Sequence, residues 1–78
     1  MRSPARHVEE RLATFLGPHT ARNALKTFAT RTLGRSPEEL TLADVPSLLA
    51  ALRPMLRTLL GEDSARMLID DIARELGT

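Results

Sequence analysis

The side chains that could carry out chemistry are few, and their spacing does not group them into a reactive site. His7 and His19 stand apart, and neither has a histidine or carboxylate four residues further on, as a helical metal site would need. Asp70 and Asp71 are adjacent, so on a helix they point about 100° apart and cannot act as paired catalytic carboxylates. The chain has no cysteine, and its four glycines do not form a glycine-rich phosphate-binding loop. We therefore predict that the chain is not an enzyme, with no catalytic, cofactor-binding or metal-binding residues and no small-molecule substrate.

The composition indicates a small helical protein. The chain has 78 residues, enough for a single domain over 1–78, and 42% of them are hydrophobic. Leucine and alanine dominate this fraction and only two residues are aromatic, which disfavours a β-sheet. Charges and prolines interrupt every apolar run, so no membrane span is predicted. The first residues lack the apolar stretch of a secretory signal, and we expect a cytoplasmic protein.

The glycines divide the chain into helices. All four follow a leucine, and helices commonly end at glycine because the left-handed backbone conformation costs this residue nothing. Nothing else is expected to recur with Leu-Gly, so no internal repeat is predicted. Apolar residues between the glycines follow helical periodicity, and the interval before the third helix can hold a short helical turn near 37–40. The predicted fold is all-α, a compact bundle of four main helices at about 4–16, 18–33, 42–60 and 63–76.

Polar residues mark the predicted helix starts. Ser36 and Glu39 have the spacing of a capping box, in which Glu39 reaches back to Ser36. Residues 41–44 resemble a second capping sequence a few positions later. Asp63 or Ser64 is expected to cap the fourth helix. These structural roles account for the polar residues without a catalytic one.

The third helix has the largest apolar face and an interior proline. Pro54 removes one backbone hydrogen bond and is expected to kink the helix, either to wrap the core or to leave the Ala50 carbonyl available to a partner. The apolar surplus is either buried at the centre of the bundle or shared with another chain. Leu49 lies on this face, and Arg53 and Arg57 stand one helical turn apart. We predict that these three residues contribute to partner binding.

The net charge of +1 conceals two oppositely charged halves. Residues 1–36 carry +5 and residues 37–78 carry −4. Such halves can attract each other within the fold or across a dimer, or they can face two different partners. Arg22 and Lys26 form a second basic pair on the second helix, and we include them among the candidate partner-binding residues, although stripes of this kind are more often solvated.

Two other functions stay open. The second helix, 18–33, carries Arg22 and Lys26 and can serve as the recognition helix of a small DNA-binding regulator. Nucleic acid is disfavoured as a partner, because the chain is less basic than dedicated nucleic-acid domains and has no aromatic platform for stacking bases. The other alternative is a self-assembling dimerisation module whose partner is a second copy of itself, in a homodimer.

Two stretches between residues 12 and 76 follow a familiar pattern. The first contains Leu16-Gly17-Pro18 with Ala21, Leu25 and Ala29, and the second contains Leu40-Thr41 with Asp44, Pro46, Leu49, Leu52, Pro54 and Leu56, then Leu60-Gly61-Glu62 and Ala65-Arg66. Together they resemble a small helical module appended to bacterial signalling proteins, such as sensor kinases and regulators of small GTPases, chiefly in GC-rich bacteria. The resemblance implies a non-catalytic protein–protein interaction or localisation role in bacterial cytoplasmic signalling, with another protein as partner.

Overall fold

The computed structural model describes residues 3–77, which form helices joined by short turns. No β-strand occurs within this part of the chain, and the predicted all-α bundle of four main helices is confirmed. The helices are α1 (Pro4–Leu16), α2 (Pro18–Phe28), α3 (Val45–Leu60) and α4 (Glu62–Leu76), with a π-helical turn at Ala29–Leu33 and 3₁₀ turns at Pro37–Glu39 and Leu42–Asp44. No helix of residues 3–77 is long and apolar enough to cross a membrane.

The four α-helices pack as two hairpins, α1 against α2 and α3 against α4. One glycine makes each corner, Gly17 in the first hairpin and Gly61 in the second. Both have φ of 86°, with ψ of 154° and 162°, a backbone conformation nearly closed to residues with a Cβ atom. Each glycine donates its N–H to the helix before it and accepts a hydrogen bond from the helix after it. A single residue therefore ends one helix and starts the next.

The two hairpins are copies of one sequence pattern. When residues 12–34 are aligned with residues 56–77, leaving one residue of the first segment unmatched, ten of the 22 pairs are identical. The identical pairs are Leu12/Leu56, Thr14/Thr58, Leu16/Leu60, Gly17/Gly61, Ala21/Ala65, Arg22/Arg66, Ala29/Ala73, Arg31/Arg74, Leu33/Leu76 and Gly34/Gly77. The expectation that nothing recurs with Leu-Gly is therefore wrong. The recurring residues include buried ones on both sides of each corner glycine, namely Leu12 and Ala21 in the first hairpin and Leu56 and Ala65 in the second.

The one unmatched residue falls in the π-helical turn that follows α2. A π-helical turn holds one residue more than an α-helical turn, so it accommodates an insertion without changing the faces of the helix on either side. With Thr30 left unmatched, Leu33 and Gly34 align with Leu76 and Gly77 at the end of α4. The helix predicted over 18–33 is thus regular only as far as Phe28, because the inserted residue widens its last turn.

The core is apolar throughout. Residues 3–77 contain no buried polar or charged residue. The largest fully buried side chains are Val8, Leu12, Leu25, Val45, Leu48, Leu52, Leu56, Leu68 and Ile72. Both hairpins contribute to this set, so neither encloses the core alone. Five apolar residues of α3 are buried in this core. Leu59, near the end of α3, and Leu42, in the 3₁₀ turn before it, are about half exposed, at 55% and 50%.

Two carboxylates fix the turns between the hairpins. Glu39 accepts hydrogen bonds from the Ser36 N–H at 2.9 Å and from its hydroxyl at 3.1 Å, which is the return contact expected of the capping box. Asp44 accepts from the Thr41 N–H and hydroxyl at 3.0 and 3.2 Å. These bonds, the backbone ones first, lower the pKa of both carboxyls because they favour the ionised form. Since the second of them closes a 3₁₀ turn, the α-helix predicted from residue 42 begins only at Val45.

The start of α4 also differs from the prediction. The helix begins at Glu62, directly after Gly61, and no side chain caps its first amides. The expectation that Asp63 or Ser64 caps this helix is wrong, because the corner glycine leaves no room for a separate capping residue. Glu62 and Asp63 instead place negative charge in the first turn, where the helix dipole favours it.

Ion pairs join the two oppositely charged halves within the fold. Arg11 on α1 lies 3.2 Å from Asp71 and 3.3 Å from Glu75, both on α4. The Arg11 Nε–H is buried and is not aimed at Glu75, so that second contact is an ion pair without a hydrogen bond. His7 Nε2 also lies 2.6 Å from Glu75. The two oppositely charged halves therefore attract each other within one molecule, which is one of the arrangements that the charge distribution allows.

Candidate functional site

A groove of about 350 Å³ runs between α3 and α4. Leu49 and Ile69 form its floor and are almost fully buried. Ala50 and Arg53 stand exposed along its α3 side, where the helix period places them next to Leu49. Its remaining lining residues are Pro46 and Ala73. The groove thus offers a narrow apolar floor beside one cationic side chain.

The charged rim continues beyond the groove. Arg53, Arg57 and Arg66 line a small adjoining cavity, where Glu62 is the one acidic residue. Arg66 lies 3.4 Å from Asp63, and both side chains are well exposed, so this pair contributes little to stability. Arg53 and Arg57 form no ion pair with any carboxylate of residues 3–77. Two exposed guanidinium groups therefore stand beside an apolar floor with their charge uncompensated by a direct contact.

The interior proline of α3 affects the same surface. Pro54 is exposed, and the helix continues past it to Leu60. Since proline has no N–H, residue 54 makes no helical hydrogen bond to the carbonyl of Ala50, the exposed residue on the rim of the groove. The Ala50 carbonyl therefore lacks this helical donor, which is the premise of one of the two interpretations of Pro54.

The candidate partner-binding residues separate into two places. Leu49 and Arg53 lie together in the α3/α4 groove, with Arg57 on its rim. Arg22 and Lys26 lie on α2 beside a different cavity. Glu9 lies 3.9 Å from Arg22, and it lines that cavity together with Glu38. Both basic pairs thus have a carboxylate in the same cavity, but Arg22 has one within 4 Å, whereas Arg53 and Arg57 have none so close among residues 3–77.

Sequence patterns did not point to Ile69 and Ala73 of the groove, nor to Arg66 of the adjoining cavity. Ile69 and Ala73 belong to the apolar stripe of α4, and Arg66 pairs with an acid one turn away, so each has an ordinary structural explanation. The overlooked signal is the internal repeat, which makes Arg66 the counterpart of Arg22 and Ile69 the counterpart of Leu25. Only the packing of α3 against α4 shows that Ile69 and Ala73 share the groove with Arg53, and that Arg66 shares the adjoining cavity with it.

Chemically reactive side chains remain scattered across the described residues. Residues 3–77 contain no group of three or more histidine or acidic side chains placed to hold a metal ion. His7 forms an ion-pair contact with Glu75, and His19 Nε2 lies 3.3 Å from the side-chain nitrogen of Asn23.

No known protein-family model matches the chain, and no match was found among curated proteins or solved structures.

Proposed function

We propose that this chain is a non-catalytic protein-interaction or localisation module of bacterial cytoplasmic signalling, and that it binds another protein through the α3/α4 groove. The observation that supports this most is the coincidence of two features at one place. Leu49 and Ile69 give an apolar floor, and Arg53 and Arg57 supply cations that form no ion pair within residues 3–77. Apolar contact provides affinity, and unpaired arginines provide specificity for acidic groups.

The α2 stripe is the weaker candidate for the same role. Arg22 already has Glu9 at 3.9 Å, so an incoming acidic group would compete with an existing carboxylate. An acidic group that approaches Arg53 or Arg57 meets no such competitor, because neither arginine forms an ion pair within residues 3–77.

Affinity capture with matched variants tests this proposal. The tagged wild-type chain is compared with Arg53→Glu/Arg57→Glu and with the control Lys26→Glu/Arg31→Glu, which changes the net charge equally at exposed positions of α2 and the turn after it. We expect wild type and control to capture the same protein from native lysate, and the groove variant to lose it. Circular dichroism establishes that all three chains are equally helical.

Three results would contradict the proposal. Capture that survives Arg53→Glu/Arg57→Glu but not the control would place the interaction on α2. A wild-type chain that captures nothing, and that sediments as a monomer, would argue against an interaction module. A mobility shift with DNA that persists at about 150 mM salt would support the DNA-binding alternative instead.

A further inference from the structure

The internal repeat gives the α3/α4 groove a counterpart in the first hairpin. When the register of the repeat is continued without a gap toward the starts of α1 and α3, beyond the aligned segments, the groove residues Leu49, Ala50, Arg53 and Ile69 correspond, 44 positions earlier, to Ala5, Arg6, Glu9 and Leu25. All four of these earlier residues line one cavity between α1 and α2. The same register of two helices around a glycine corner thus makes a groove twice in this chain.

In the first hairpin, part of the chain itself lies along the groove. Pro37 and Glu38 line it together with Glu9 and Arg22. They belong to the 3₁₀ turn whose shape is held by the Ser36–Glu39 hydrogen bonds. A proline and the acidic residue after it therefore border a groove of this type within the chain itself, while the next acid, Glu39, is bonded back to Ser36.

In the second hairpin, no such segment is present among the described residues. Every residue that lines the α3/α4 groove belongs to α3 or α4. Ala73 is partly exposed there, whereas its counterpart Ala29 is fully buried, at 0% exposure. Residues 3–77 thus contain one groove bordered by a proline–acid turn and one groove without it.

The charges of the second groove favour an acidic occupant more strongly than those of the first. In this register Arg53 stands where the first hairpin has Glu9, and Arg57 where it has Ala13, while Arg22 is matched by Arg66. The first groove is lined by two basic and two acidic residues, whereas Arg53 is the one charged residue that lines the second. The change of sign at position 53 therefore makes the second groove more attractive to a carboxylate.

We infer that the α3/α4 groove binds a partner segment in which a proline is followed by acidic residues, a turn of the same chemistry as Ser36-Pro37-Glu38-Glu39. The inference rests on the proposed function and names its ligand. The proline ring packs on Leu49 and Ile69, and the carboxylates pair with Arg53 and Arg57. Because proline restricts the free segment to few conformations, little entropy is lost when it binds.

Peptide titration tests this inference directly. The probe is a capped hexapeptide with the sequence of residues 36–41, Ser-Pro-Glu-Glu-Leu-Thr, added to the isotope-labelled full chain up to about 5 mM, a range in which NMR detects millimolar binding. We expect saturable shifts at the backbone amides of Ala50, Arg53 and Ala73. A peptide with both glutamates changed to glutamine should bind at least about tenfold more weakly, as loss of charge-assisted hydrogen bonds predicts.

Matched variants identify the surface and the role of proline. Arg53→Glu/Arg57→Glu should weaken binding about tenfold or more, whereas Lys26→Glu/Arg31→Glu should leave the Kd within about twofold. A peptide with alanine in place of proline should also bind more weakly than the original, since it is less preorganised. Equal binding of the alanine peptide would overturn the role of proline and leave a general acidic ligand.

Other outcomes separate this inference from the proposed function. No saturable shift at the highest peptide concentration would overturn the inference, even if captured protein still depends on Arg53 and Arg57. Shifts confined to Ala5, Glu9 and Leu25 would overturn it too, because the peptide would then prefer the first groove. Peptide binding without any captured protein would support the ligand chemistry and contradict the proposed function.

Discussion

The two corner glycines offer the sharpest test of how this fold is built. Gly17 and Gly61 have φ of 86° and ψ near 160°, a region essentially restricted to glycine. A Cβ atom added at either position would meet no other atom within 4 Å. Replacement by alanine therefore measures backbone strain without a steric clash from the surroundings.

Because no steric clash contributes, the expected loss of stability follows from the backbone strain alone. A residue with a Cβ atom held in this region costs about 1–3 kcal/mol, so Gly17→Ala and Gly61→Ala should each lower the free energy of unfolding by that amount. A core of this size rarely supplies more than about 3–5 kcal/mol. If the two corners act independently, the double variant loses about 2–6 kcal/mol and should be largely unfolded.

Urea denaturation followed by circular dichroism measures these losses, since the chain has no tryptophan or tyrosine to report by fluorescence. The control is Gly34→Asn, because Gly34 has φ of 65° and ψ of 27°, the left-handed region that asparagine tolerates, and it should cost less than about 1 kcal/mol. The reasoning is refuted if Gly17→Ala costs no more than Gly34→Asn, or if the double variant unfolds at the wild-type urea concentration.

Three further predictions concern the core, the turns and the repeat. Leu56→Ala removes a fully buried side chain and should lower the free energy of unfolding by about 2–5 kcal/mol in the same urea assay. Glu39 and Asp44 have lowered pKa values, so their stabilising contribution is present above their unfolded pKa values and is lost as pH falls through the folded ones. The melting temperature should therefore fall less on acidification in Glu39→Gln/Asp44→Asn than in wild type; equal slopes would contradict this. Deletion of Thr30 should convert the π-helical turn into an α-helical one and keep the thermal transition cooperative, whereas deletion of Asp70 from α4 should abolish it because every later side chain rotates by about 100°.

The repeat also explains why one protein of this size can hold a core and still leave a groove open at its surface. Each hairpin buries its inner face against the other, and Leu12 and Leu56 occupy equivalent buried positions. The outer edges of the two hairpins do not face the same surroundings, since only the first borders Pro37 and Glu38. The exchange of Glu9 for Arg53 is located at this edge, where sequence change does not disturb the core.

Helix positions were predictable because local chemistry determines them. Leucine periodicity, proline after a corner and the Ser36–Glu39 capping box act within a few residues, and each appears where the sequence indicates it. The first failures came where one residue serves two elements. Gly61 ends α3 and begins α4 at once, so the cap expected at Asp63 or Ser64 has no place.

The site was only half visible in the sequence for a related reason. Arg53 and Arg57 are conspicuous along α3, but Arg22 and Lys26 are equally conspicuous along α2, and spacing alone cannot tell which pair is already matched by acid. That depends on which carboxylates come near in space, and Glu9, which approaches Arg22, lies on another helix. The partner of Leu49 in the groove floor, Ile69, is 20 positions away in the chain and becomes its neighbour only through packing.

The sequence by itself thus determined the helical class, the places where helices end and the unequal distribution of charge, because these follow from short-range periodicity, backbone preference and composition. The tertiary structure alone decided how the charges are used. It pairs Arg11 with Asp71 across the two halves and leaves Arg53 and Arg57 beside an open groove. Charge compensation is a property of distance in space, and residues far apart in the chain acquire that distance only when the hairpins pack.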